Sequence, residues 1–196
     1  MPRAGLSAEL VVEEAARLVD AEGADRLTLA ALAQRFGVAV PSLYKHVGGL
    51  EDLHGRLALR AARELVTALR RAATGRSGAE AVAAVAHAYR ANARAHPGTY
   101  AYVLAPRAGD DEHARASEEL LEVLAEVLAG YGITGDDDLV DAIRMLRSTL
   151  HGWVGLENAG GFAMSRSVDR SFDRLVAGLD AALSADSDED AAGQDT

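Results

Sequence analysis

The chain has 196 residues and no cysteine, which excludes disulfides, thiolate nucleophiles and cysteine-ligated zinc. No apolar run approaches the ~20 residues that a helix needs to cross a bilayer. Glu9, Glu13 and Glu14 stand where a secretory leader would be uncharged, so a cytoplasmic protein is expected. None of the six histidines lies four residues from another, which removes the usual helical metal pair, and no metal site is expected. There is no G-x-S-x-G elbow, no glycine-rich phosphate loop and no strand pattern to carry either. Neither an enzyme nor a bound cofactor is expected.

What is present is an alternation of helical stripes. With 49% hydrophobic residues, a chain of this length buries about 70% of the surface it exposes when unfolded. The net charge of −10 is unevenly spread. Residues 1–75 hold ten Lys and Arg against nine Asp and Glu, and residues 76–196 hold ten against twenty-one. An almost neutral front and an acidic body suit a focused contact with DNA better than a general coating of it.

The most informative stretch is 28–53. A first helix over 7–22, capped by Ser7, turns Leu10, Val11, Ala15, Leu18 and Val19 inward, and Gly23 closes it. Thr28 then caps a short helix whose Leu29, Leu32, Ala33 and Phe36 share one face, ended by Gly37. A second short helix starts near Val40 with Pro41 in its first turn, where the missing N–H has no partner to lose. Leu43, Tyr44 and Val47 continue it to Gly48 and Gly49. Two short helices joined by a tight turn are a helix-turn-helix, and the same pattern also occurs as a plain helical hairpin.

The residues themselves go further. LTLAALAQRFGVAVPSLYKHVGGLEDL, with its T-x-x-x-L-A-x-x-x-G-V turn followed by S-L-Y-x-H-V, resembles the N-terminal domain of the tetracycline-repressor (TetR) family. The likeness spans residues 7–71. It implies that the second short helix enters the major groove. The positions that meet DNA are then Thr28, Ala39, Val40, Pro41, Ser42, Tyr44, Lys45 and His46. Of these, Ser42 and Lys45 can bond base edges, the apolar ones can touch thymine methyls, and Tyr44 and His46 match positions that hold phosphates. The family often has a lysine at the start of the next helix, where this chain reads Gly48-Gly49-Leu50-Glu51.

That next helix runs over 50–71, with Leu50, Leu53 and Leu57 on one stripe and two stripes later on, so its far half is buried on two sides. Residues 74–78 form a loop. A helix over 79–95 turns Val82, Val85 and Tyr89 inward and carries the same spacing on to Asn92 and His96, while His87 and His113 fall off their stripes and read as solvated. A short helix over 99–104, a polar loop over 107–112 and a helix with Leu120, Leu121, Leu124, Val127 and Leu128 inward follow. The helix over 136–159 opens on three aspartates that suit the positive end of its dipole. It shows a core stripe (Leu139, Ile143, Leu146, Leu150, Trp153), a polar one (Arg144, Arg147, His151) and a stripe of small residues (Ser148, Gly152, Gly155, Ala159). The last helix, 168–183, presents Phe172, Leu175, Val176, Leu179 and Leu183.

His151-Gly152-Trp153 resembles the Trp-His-Gly-like signature of one C-terminal domain type of the same family. The expected protein is all-α, with about nine helices: a helix-turn-helix domain over 1–48, a ligand-binding and dimerisation domain over 49–184, and a disordered acidic tail over 185–196. It is expected to be a homodimeric repressor released from a palindromic operator by a small hydrophobic effector. The effector would meet Tyr89, Asn92, His96, Tyr102, Trp153 and Phe162. The dimer would form through Ser148, Gly152, Gly155, Ala159, Phe172, Leu175, Val176 and Leu179. Two other readings stand beside it, an architectural DNA binder blind to ligands and a helical protein-interaction adaptor without DNA binding.

Overall fold

A computed structural model of the chain describes residues 5–103 and 111–193, without the side chains of 136 and 186–193. The described residues are helical, with no strand among them. They form α1 (Ala8–Glu22), α2 (Leu29–Phe36), α3 (Leu50–Ala73), α4 (Gly78–Ala95), α5 (Pro97–Val103), α6 (Asp111–Ala129), α7 (Asp136–Asn158) and α8 (Val168–Gly193). Two short 3-10 segments, Ala24–Arg26 and Val40–Lys45, flank α2. The described parts of Met1–Glu64 and His96–Ala116 make one compact unit, and those of Leu65–Ala95 and Ser117–Thr196 a second.

In the first unit, the ends of α1 and α2 are set by local chemistry. Ser7 Oγ accepts the Leu10 N–H at 3.3 Å, and Thr28 Oγ1 accepts that of Ala31 at 3.0 Å, each filling one of the donors a helix start leaves open. Gly37 ends α2 at φ 64°, ψ 35°, a left-handed conformation that costs glycine little. Val11, Ala15, Leu18 and Val19 of α1, Leu32 of α2, Leu43, Val47, and Leu53 and Leu57 of α3 form the core. Arg35 of α2 reaches two carboxylates of α1, Glu14 at 2.7 Å and Glu22 at 2.6 Å. The Glu14 carboxyl is held below its ordinary range, chiefly by that Arg35 bond. Between those two positions on α1, Asp20 receives the Thr99 N–H at 2.7 Å and lies 3.1 Å from His96 Nδ1. Asp20 thus serves the start of α5 with a carboxylate from another helix.

The second unit gathers α4, α7, α8, α6 from Ser117 onward and the far part of α3. Leu65 and Leu69, Val82 and Val85, Leu128, Leu146, Leu150, Val154 and Phe172 are buried. Inside it lies a charged cluster. Arg90 of α4 donates from Nε and Nη2 to the Glu157 carboxylate of α7 at 2.7 and 2.6 Å, and from Nη2 to Asp169 of α8 at 2.7 Å. Its guanidinium carbon stands 4.8 Å from the Phe172 ring centroid.

Several expectations change. The element at Val40–Lys45 is 3-10 and six residues long, since Pro41 near its start and the Gly48-Gly49 pair beyond it leave too few donors for a longer ladder. Leu10 and Leu50 keep 37% of their surface exposed, each sitting in the first turn of its helix, before the stripe turns in. His113 is buried, because α6 begins at Asp111, so that 111–112 are helical. Residues 107–110, like Leu104 and Pro106, lie outside the described residues. α8 continues to Gly193, past its expected end at 183; the stretch has alanines and no proline, and extending a helix already nucleated costs little. Phe172, Val176 and Leu179 are buried within their own chain, so they are not free to face a partner. An apolar stripe signals burial without saying whose surface provides it.

Candidate nucleic-acid interface

The segment after Gly37 is built to present side chains. Ala39 is extended (φ −78°, ψ 145°) and its carbonyl accepts the Ser42 N–H at 2.9 Å. The Leu43 carbonyl accepts the His46 and Val47 N–H groups at 2.9 and 3.0 Å. In 3-10 geometry residues three apart lie one above the other. Val40 and the fully buried Leu43 therefore point in, Pro41 and Tyr44 point out, and Ser42 aligns with the exposed Lys45. Tyr44 is 58% exposed, a large apolar ring kept in solvent. Val47, buried, pins the far end, and His46 is half-buried. Thr28 is exposed at the start of α2, engaged in its capping bond. The eight expected DNA positions thus lie at the start of α2 and along one short element, whose inner side is anchored in the core.

The start of α3 offers less to a phosphate than a helix start usually does. The Gly48 N–H is taken by Asp52 Oδ2 at 2.8 Å, and Arg56 Nε binds the same oxygen at 2.9 Å. Glu51 and Asp52 also place two acids in that first turn.

The six expected effector positions divide between the units. His96 and Tyr102 belong to the first, where His96 meets Asp20 and the Tyr102 hydroxyl lies 2.9 Å from His54 Nδ1, the two rings stacked. The other four belong to the second. Tyr89 is buried and Asn92 half-buried on α4, and Trp153 meets Phe162 at 4.6 Å and Phe172 at 5.4 Å between ring centroids. A cleft of about 620 Å³ opens in the first unit among Val12, Leu59, Arg56, Arg60, Arg63 and Glu112. None of the six borders it. The Arg90–Glu157 pair was not singled out by sequence, although a signal exists: Arg90 falls at helical spacing on the buried row Val82, Ala86, Arg90, Ala93, and a charge on such a row requires a partner.

Of the small-residue stripe on α7, Ser148, Gly152, Gly155 and Ala159 are all exposed. A side chain built at Gly152 or Gly155 would meet nothing within 4 Å. On α8, Leu175 is the expected interface residue that keeps open surface. No described helix is long and apolar enough to cross a membrane, and no group of three metal-ligating side chains occurs among the described residues.

Residues 11–54 match the profile described as bacterial regulatory proteins, tetR family, and residues 82–179 that of the tetracyclin repressor-like C-terminal domain. The chain is 41% identical over 159 residues to the uncharacterized HTH-type transcriptional regulator Rv0681 of Mycobacterium tuberculosis, covering 80% of this chain and 72% of that protein. It is 34% identical to the uncharacterized HTH-type transcriptional regulator YobS of Bacillus subtilis, covering 79% and 81%. The crystal structure of the TetR family protein ActR of Streptomyces coelicolor, in complex with actinorhodin, has the same fold, with a TM-score of 0.68 at 19% identity over 94% of this chain and 99% of that one.

Proposed function

Because the chain belongs to the TetR family of DNA-binding transcriptional regulators, we propose that it is a repressor that grips a palindromic operator as a homodimer and leaves it when a small hydrophobic molecule binds. The observation that carries this reading is the 40–45 element, anchored by Leu43 and Val47 with Ser42, Tyr44 and Lys45 outward. In this reading residues 1–48 read DNA and 49–184 dimerise and sense the effector. Ser42 and Lys45 bond base edges, Ala39 and Pro41 touch thymine methyls while Val40, expected beside them, packs inward on the core, and Thr28, Tyr44 and His46 meet phosphates. The dimer forms on the exposed Ser148, Gly152, Gly155 and Ala159 face of α7 with Leu175, an isologous contact that sets two readers about 34 Å apart.

Selection from a pool of random duplexes tests this. The parent should enrich a palindrome with half-sites about one turn apart and bind it with two chains. Gly152→Leu, which puts a bulky side chain where helices must approach, should sediment as a monomer and lose that duplex. Enrichment of no sequence, or a monomeric parent, overturns the reading.

Effector sensing falls to Tyr89, Asn92, Trp153 and Phe162, whose mostly apolar surface with one amide suits a hydrophobic molecule with one or two hydrogen-bonding positions. That a protein of this fold has been solved with actinorhodin supports a small-molecule role. A compound found by screening for release of the selected duplex should fail to release Trp153→Ala, while that variant still binds the duplex. Release equal to the parent's would place sensing elsewhere.

A further inference from the structure

Residues 5–64 contain seven cationic side chains, and they are not equally free. Arg17 is held by Glu13 and Glu14, Arg35 by Glu14 and Glu22, Arg56 by Asp52, Arg60 by Glu64 and Arg63 by Glu112. Two remain without an ion pair among the described residues, Arg26 and Lys45. Both are exposed. Lys45 is also the only lysine in the chain and already sits on the reading element.

Arg26 closes the 3-10 segment Ala24–Arg26, two residues before Thr28. The neighbouring Asp25 is exposed too, but successive residues of a 3-10 turn point about 120° apart, and no bond joins the two. The segment leads into the start of α2, the positive end of an eight-residue helix with no acid in its first turn. A free guanidinium there adds its charge to that of the helix start, and its planar fork matches phosphate oxygens in pairs. Every other cation of residues 5–64 apart from Lys45 would have to break an existing carboxylate pair before reaching DNA.

We propose that Arg26 binds a backbone phosphate of double-stranded DNA beside the start of α2, making it, with Lys45, one of two free cationic anchors among the described residues of each reader. This rests on the DNA reading above. The Arg26 backbone N–H donates to the Gly23 carbonyl, a bond any residue but proline can make, and its side chain is exposed, so its replacement leaves the fold intact.

The test measures affinity of the full-length protein for a duplex of about 30 base pairs, long enough for two half-sites, over a range of salt. The duplex is the one selected by the parent, or a fixed random sequence should none be enriched. Arg26→Gln should flatten the dependence of log affinity on log salt by about 0.9 for each bound copy. For a dimer the gap between parent and variant then closes about tenfold between about 50 and 200 mM salt. Arg26→Lys, which keeps the charge, should restore the slope, and Arg17→Gln, which removes a paired charge, should leave it unchanged. If Arg26→Gln keeps the parental slope while Lys45→Ala weakens binding, the assignment of Arg26 fails and the DNA interface stands. If Arg26→Gln keeps the parental slope and Lys45→Ala keeps the parental affinity, both the assignment and the interface fail.

Discussion

Replacing Arg90 by alanine is expected to destabilise the protein by about 3 to 5 kcal/mol, because removing one member of a buried pair strands the other. The Arg90 and Glu157 side chains are 7% and 16% exposed, so Glu157 would be left desolvated without its two donors. Asp169, 74% exposed, loses little. For a chain of this size the loss appears as a fall of roughly 10 °C in the unfolding midpoint. Replacing the pair together, Arg90→Met with Glu157→Leu, should restore much of it, since apolar side chains of similar volume need no partner.

The pair also sets an acid dependence. Arg90 holds the Glu157 carboxyl below its ordinary value of 4.5. A carboxyl lowered in the folded state contributes stability that is fully present above the ordinary value and is lost as pH falls through the lowered one. Melting from neutral pH down to about pH 3 should therefore cost the parent more than Glu157→Gln. A parental stability in Arg90→Ala would show that the cluster is solvated and contributes nothing.

The second large effect is expected at Gly98. A methyl group there would stand 2.1 Å from the Val19 carbonyl oxygen, 2.5 Å from its carbon and 2.9 Å from the Asp20 nitrogen. All three are backbone atoms of α1, so no rotamer change relieves the clash and α5 must lift. Lifting it also loosens the Thr99 bonds to Asp20. Gly98→Ala should cost at least about 3 kcal/mol, the upper end for overpacking. Gly23→Ala gives the comparison: Gly23 has φ 91° and ψ 161°, backbone that essentially only glycine adopts, but open space around it, so its cost should stay within about 1 to 3 kcal/mol. Urea midpoints for the two variants decide the order. Equal midpoints would mean that α5 does not rest closely on α1.

The contrast between these glycines shows what a sequence makes legible. Ser7, Thr28 and Gly37 were readable because a cap involves residues within one turn of each other. The bonds that position α5, α2 and α4 join Asp20 to Thr99, Glu14 to Arg35 and Arg90 to Glu157, at separations of 79, 21 and 67 residues. Periodicity carries no information about such pairs. The 40–45 segment stood out through its residue types, while its 3-10 geometry followed from how few residues lie between Ala39 and Gly48. His96 and Tyr102 stood out as polar interruptions of apolar patterns. Their partners, Asp20 and His54, became visible only once α5 was placed against α1 and α3.

The grip of Arg35 on α1 also has a mechanical consequence. Its guanidinium reaches Glu14 and Glu22, two points about two turns apart along α1. A rod fastened at one point can swivel, whereas one braced at two points has lost that freedom. α2 therefore cannot twist on α1 without releasing a brace, and the 40–45 element that leans on α2 inherits the same stiffness. On the DNA reading proposed above, release would carry this element off in one piece with α1 and α2.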